Sequence, residues 1–276
     1  MPGKVHIERE DQTGWIIFDH PERRNALSDN MWGELAEACV ELDADPDVRV
    51  VVLRGAGEKA FISGADISQF GGAAGDGSEA GSQNGSGNSD ARKASNQVAP
   101  GGANAFGELA SLRKPVIAMI HGFCIGGGVA VSLGADLRYA SDDATFGIPA
   151  ARLGVGYAMG GIEILSDLVG LSNAKEILFT ARRYNADEAL QMGLVNRVFP
   201  KNELENQVRE FADQIACNAP LTVRSVKLIS SELQKPREKR DRIKVDDAIA
   251  ACFQSEDFTE GVRAFMEKRK PNFSGR

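Results

Sequence analysis

The chain is poor in the residues that most often carry chemistry on their side chains. Its 276 residues include three histidines, four cysteines, three tyrosines and two tryptophans. His6, His20 and His121 stand far apart, and no cysteine or histidine pair has the spacing of a zinc knuckle or a redox motif. No metal site is therefore predicted. Three of the four cysteines (Cys39, Cys124, Cys217, Cys252) fall in apolar-periodic runs, which predicts buried free thiols in a reducing compartment. Positive charge is also in deficit. A net charge of −7 argues against nucleic acid or an anionic membrane as the main partner, without excluding a local basic patch. No apolar run reaches membrane-spanning length, and Met1 to Arg9 holds no apolar signal core, so a cytoplasmic location is expected.

Glycine, by contrast, is abundant and tellingly placed. Gly126-Gly127-Gly128 lies between an apolar run, Pro115 to Ile120, and a run of small residues from Val129 to Gly134. The first run reads as a buried strand and the second as the opening of a helix. Glycines at such a turn let backbone approach a ligand without a Cβ in the way. The first N–H groups of the helix have no partner within it and carry the positive end of its dipole. The turn is suited to negative charge.

Around it the pattern is α/β. Val5–Arg9 and Trp15–Asp19 read as a strand pair, and Ser28 as the N-cap of a helix over Asp29–Leu42. Val48–Leu53 is a buried strand; Asp136–Ala140, Ala144–Ile148 and Val195–Phe199 are further strands. Helices prevail from Ile162 onward. Residues 71–104 hold Gly, Ala, Ser and Asn with Val98 the only large aliphatic, too little apolar area to offset ordering, and read as a flexible surface insertion. The expected division is a core over 1–198, containing that insertion, and a helical C-terminal region over 199–276. His20 is expected at the surface, and His121 reads as structural.

Several motifs together resemble the crotonase family of enoyl-CoA hydratases and isomerases. They are Pro21-x-x-x-Asn25-Ala26-Leu27-Ser28, Ala60-Phe61-x-x-Gly64-Ala65-Asp66-Ile67, Lys114-Pro115-Val116-Ile117-Ala118, and His121-Gly122-x-x-x-Gly126-Gly127-Gly128. Phe146-Gly147-x-Pro149, Ala189-x-x-x-Gly193-Leu194-Val195 and the tail from Glu256 to Arg269 follow in the same order. The resemblance implies a spiral of ββα units with a helical C-terminal trimerisation region, and a homotrimer or homohexamer. It also implies an acyl-CoA thioester as ligand, with coenzyme A as part of the substrate and no other cofactor. The backbone N–H groups of Ala65 and Gly127 would form an oxyanion hole for a thioester enolate. Arg24, Ser63, Asp66, Ile67 and Lys268 match positions that hold coenzyme A.

The pattern breaks where the family's hydratases carry two glutamates. Ala130 and Ala150 stand there, and alanine can act neither as base nor as acid. Pro149-Ala150-x-x-Leu153-Gly154-Val155-x-Tyr157 resembles methylmalonyl-CoA decarboxylases locally. An acyl-CoA lyase that decarboxylates a malonyl-type thioester is therefore slightly favoured over a hydratase, with Tyr157 orienting the carboxylate and Arg152 a further candidate to pair with it. The alternatives are a hydratase or isomerase with a non-standard acid and base, or a non-catalytic acyl-CoA-binding homologue.

Overall fold

Strands β3 (Val50–Gly55) and β5 (Val116–Ile120) are mostly apolar because both of their faces are covered, and β7 (Leu137–Ser141) is buried along most of its length although it carries Arg138 and Ser141. Val51, Leu53, Val116, Ala118 and Ile120 point into one core, and Val50, Val52, Ile117 and Met119 into another. The computed structural model that shows this describes residues 2–65 and 102–276.

Each long strand is followed by a short one that leaves for a second sheet. β4 (Ala60–Ile62), β6 (Phe123–Ile125) and β8 (Thr145–Gly147) follow β3, β5 and β7 in turn. With β1 (Lys4–Glu10), β2 (Thr13–Asp19), β9 (Tyr184–Asn185) and β10 (Arg197–Phe199), the result is a six-stranded sheet, β1-β2-β3-β5-β7-β10, and a four-stranded sheet, β4-β6-β8-β9. β1 and β2 run antiparallel in a register from Lys4↔Asp19 to Glu10↔Thr13. β3, β5 and β7 pair in parallel, as do β4, β6 and β8. This is the expected spiral of ββα units.

Helix α1 (Asp29–Ala44) and helix α2 (Gly102–Ser111) pack together over the first core. Ser28 precedes α1 but does not cap it in the expected way: its hydroxyl donates to Asn30 Oδ1 at 2.7 Å. The far end of α1 is tied by Lys114, whose buried ammonium donates to the carbonyls of Leu42 and Asp45. A cation at helix-terminal carbonyls satisfies acceptors that the helix leaves open. The insertion read over 71–104 lies outside the described residues up to 101; its last residues, from Gly102, belong to α2.

The glycine turn opens α3 (Gly127–Leu133), and Pro149 leads into α4 (Ala150–Leu153). Then come α5 (Met159–Val169), α6 (Leu171–Thr180) and α7 (Ala186–Gln191). Helix α8 (Leu204–Ala216) lays Leu204, Val208, Ala212 and Ala216, one every fourth residue, on the outer face of the six-stranded sheet. Burying its Leu and Val contributes about 1.5–3 kcal/mol each. Helices α9 (Pro220–Leu233), α10 (Arg242–Gln254) and α11 (Glu256–Met266) end the chain. Among the described residues, no helix is long and apolar enough to cross a membrane.

Only two cysteines are buried, not three. Cys39 and Cys124 are enclosed, and burial pushes the Cys39 thiol up to about 12 and Cys124 higher still. Cys217 is exposed as the residue that ends α8, and Cys252 is half-buried on α10. His20 is buried rather than exposed, with Gly3 and Met31 packed around it.

Candidate active site

Two backbone turns meet where the short strands end. The first follows β4: Leu27 N–H donates to Gly64 O at 2.8 Å, and Leu27 and Ala65 form an isolated parallel bridge. The second is Gly126–Gly128 after β6. Gly126 has φ 54° and ψ −107°, a combination that a side chain disfavours, and its N–H donates to Gly147 O at 2.8 Å. Gly128 presses on β4 so closely that a Cβ there would lie 2.2 Å from Ile62 O. A Cβ on Gly127 would stand 3.5 Å from Ala65 N, so the two turns touch. Neither the Ala65 N–H nor the Gly127 N–H donates to an acceptor among the described residues. The structure thus brings two uncommitted donors side by side.

Asn25 fixes the first turn. It is fully buried; its Oδ1 accepts from His20 N–H, and its amide donates to Ala56 O at 2.9 Å and Ala60 O at 2.8 Å. Ser63 completes the tie. Its N–H donates to Arg24 O at 3.0 Å and its hydroxyl to Arg23 O at 3.1 Å. His121 braces the same strand from the other side, its carbonyl accepting from Phe61 N–H at 2.8 Å. Its ring is buried and Nε2 has no partner among the described residues. Burial above all, then the Lys201 ammonium, holds its pKa below the ordinary histidine value.

The sequence profile of enoyl-CoA hydratase/isomerase matches residues 8–276. A short-chain-enoyl-CoA hydratase of Clostridium acetobutylicum is 36% identical over 272 residues, covering 96% of this chain and 95% of the relative. A peroxisomal Delta(3,5)-Delta(2,4)-dienoyl-CoA isomerase of Arabidopsis thaliana is 37% identical over 263 residues, covering 94% and 91%. The solved structure of an enoyl-CoA hydratase/carnithine racemase from Magnetospirillum magneticum superposes with a TM-score of 0.87 at 33% identity, covering 99% of this chain and 96% of that one. The chain belongs to the enoyl-CoA hydratase/isomerase family.

Within this enoyl-CoA hydratase/isomerase fold, the remaining candidates are unevenly placed. Ala130 lies half-buried in the first turn of α3, its N–H donating to Gly126 O at 3.1 Å, and Ala150 is half-buried at the start of α4. Tyr157 lies half-buried ahead of α5 with its ring on that helix's backbone: a Cβ at Gly161 would be 2.8 Å from Cε1. Burial alone pushes its phenol above the ordinary 10.0, so it remains an O–H donor at neutral pH. Arg152 is exposed on the single turn of α4, two residues past Ala150. Residues two apart on a helix face opposite sides, which turns Arg152 away from Ala150. Lys268 is exposed beyond α11 and makes no side-chain contact with the others among the described residues. Asp66 and Ile67 lie outside the described residues. Among the described residues, no group of three or more His, Cys, Asp or Glu is placed to hold a metal.

The sequence reading missed Phe123 and Arg183. The guanidinium carbons of Arg24 and Arg183 lie 4.7 Å and 5.4 Å from the centre of the Phe123 ring. Phe123 belongs to a three-residue strand, too short for a periodic signal.

Proposed function

We propose that this protein acts on an acyl-CoA thioester, polarising the thioester oxygen between the Ala65 and Gly127 N–H groups and stabilising the enolate that forms. The observation that carries the reading is the contact of two turns whose donors have no other acceptor among the described residues. Donors aimed at developing charge are worth most where water is excluded, and losing one costs about 3–4 kcal/mol. Because they are backbone groups, an alanine and a glycine suffice.

The finer reading is loss of carbon dioxide from a malonyl-type thioester. The bond from Cα to the carboxylate carbon breaks, its electron pair forms the enolate, and the negative charge settles on the thioester oxygen. The enolate then takes a proton at Cα. This step needs no carboxylate at Ala130 or Ala150, whereas water addition needs a base for the water and an acid for Cα. A protonated Tyr157 suits a donor that orients the departing carboxylate. The names of relatives such as the short-chain-enoyl-CoA hydratase favour a second reading, hydration with an acid and base elsewhere. The apolar C-terminal helices suit a homotrimer or a pair of trimers.

The test is to incubate the purified protein with crotonyl-CoA, methylmalonyl-CoA and ethylmalonyl-CoA and to follow products by mass. The expected result is decarboxylation of a malonyl-type ester with little hydration of crotonyl-CoA. Rapid hydration of crotonyl-CoA would overturn the argument from Ala130 and Ala150. Binding of all three without turnover would make the chain a non-catalytic acyl-CoA binder.

A further inference from the structure

Arg138 carries a buried guanidinium that the chemistry above does not use. It is the second residue of β7 and is 5% exposed. Among the described residues its side chain donates to carbonyls only. Nη1 reaches Ala135 O at 2.7 Å and, more weakly, Ser132 O at 3.4 Å, and Nε reaches Leu194 O at 3.0 Å. Asp136, two residues earlier, gives its carboxylate to Lys227 at 2.8 Å and to Val116 N–H at 2.7 Å. A buried cation without a carboxylate partner is unfavourable unless its donors are well placed.

The carbonyls it holds mark the exit of α3. Ser132 lies in the last turn of that helix, and Ala135 two residues beyond its end. The last carbonyls of a helix have no partner within it, and the fixed fork of a guanidinium suits them. α3 has only seven residues, which makes it about 10 Å long. Gly127, whose N–H is one of the two donors, is its first residue. A shift at one end of so short a rod is felt at the other. Apolar packing resists sideways displacement of a helix but lets it slide along its axis, and hydrogen bonds to its terminal carbonyls stop the sliding. Arg138 is itself fixed. Its N–H donates to Asn196 Oδ1 at 2.8 Å, its carbonyl accepts from Asn196 N–H at 2.8 Å, and it pairs with Ala118 of β5. The carbonyl end of α3 is thus anchored to the six-stranded sheet, while its other end delivers a donor to the turn against Ala65.

We infer that Arg138 is a positioning residue for the Gly127 donor, holding α3 along its axis from the far end. The inference rests on the acyl-CoA reading above. Donors of this kind work within about 0.5 Å of their place, and a misplacement of about 1 Å costs on the order of 10²-fold. Loosening the carbonyl end of α3 therefore weakens stabilisation of the enolate and leaves binding of the carrier alone.

The experiment compares the intact protein with Arg138→Gln, Arg138→Lys and Arg49→Gln. Arg49 is a matched control: its guanidinium donates to Ala216 O at 2.9 Å, at the end of α8, a helix that carries no donor turn. The probe is acetoacetyl-CoA, a 1,3-dicarbonyl thioester whose enolate absorbs in the near ultraviolet, with coenzyme A alone for comparison. Absorbance at saturation across pH gives the ratio of enolate to keto form in the bound probe, and melting temperatures rank the variants by stability. The expected result for Arg138→Gln is a ratio lowered at least about tenfold, with partial recovery in Arg138→Lys and coenzyme A affinity within about twofold of wild type. Arg49→Gln should melt earlier than wild type and keep the wild-type ratio. A wild-type ratio in Arg138→Gln, an equal fall in Arg49→Gln, or a parallel loss of coenzyme A affinity would overturn the positioning role and leave the acyl-CoA reading standing. Should Arg138→Gln not fold, the ratio in Arg138→Lys decides by the same comparison. A wild-type protein that does not bind acetoacetyl-CoA, or binds it with no more enolate than the free probe, would overturn the donor reading and the positioning role together.

Discussion

The donor turns and the C-terminal helices are held by opposite means. Around Ala65 and Gly127, the side chains of Asn25 and Ser63 apart, the close contacts are between backbones: Gly128 against Ile62 O, Gly126 N–H on Gly147 O, Leu27 N–H on Gly64 O. Side chains there are small or absent because the main chains touch. In the C-terminal part the ties run through side chains. Glu260 accepts from Arg263, Arg269 and Asn272 N–H, and Asp257 accepts from the N–H groups of Ser274 and Gly275. Arg49 reaches from the start of β3 to Phe273 O at 2.7 Å. Apolar side chains stand outward there: Phe265 is 83% and Phe253 64% exposed, lining a groove of about 580 Å³. One region is built to place backbone atoms, the other to present side chains.

The sharpest way to break this comparison is Gly128→Ala. A methyl group 2.2 Å from Ile62 O has no side chain to push aside, so backbone must move. The expected outcome is a stability loss of about 1–3 kcal/mol by chemical denaturation. Turnover should fall about 10²–10³-fold, as for loss of an oxyanion donor. Full turnover in this variant would mean that the close approach does not position Gly127.

Phe265→Glu probes the other region. If a second copy covers that face, the variant should dissociate in analytical ultracentrifugation while its own fold shifts by no more than about 0.5 kcal/mol, as is usual for an exposed position. An assembly unaffected by the charge would remove these helices from the interface.

The smallest expected effect concerns His121, which braces β4 from behind. Its folded pKa is below the ordinary 6.5, so the fold favours the neutral ring. Below that value the unfolded chain takes up a proton that the folded chain resists, and stability falls as pH drops from about 6.5 toward the folded pKa. Thermal melts across this range should show the slope in wild type and a flatter profile in His121→Asn. Identical profiles would show that His121 does not contribute to the acid sensitivity.

How much could be read beforehand depended on the range of the cause. The glycine turn was legible because its constraint is local. β3 and β5 were legible because two covered faces leave a long apolar run, Val50–Leu53 and Val116–Ile120. Helices from Ile162 onward showed their spacing. β6 and β9 escaped because three and two residues carry no period. His20 looked exposed because nothing nearby in sequence shows that Gly3 and Met31 enclose it. Cys217 follows an apolar-periodic helix yet is exposed, because it stands just past the last buried turn. Lys114 and Asn25, conspicuous as motif residues, proved to be ties for the ends of α1 and β4.

By itself the sequence determined the α/β order of strands and helices, the motifs that resemble the family, and the absence of a carboxylate at Ala130 and Ala150. Those follow from residue identity and short-range periodicity, which the chain carries wherever it goes. Only the tertiary structure decided that Gly127 lies against Ala65, that Lys114 ties the end of α1, and that Arg24 and Arg183 share one ring. These depend on contacts between distant segments, fixed when two sheets and their helices settle at van der Waals distance.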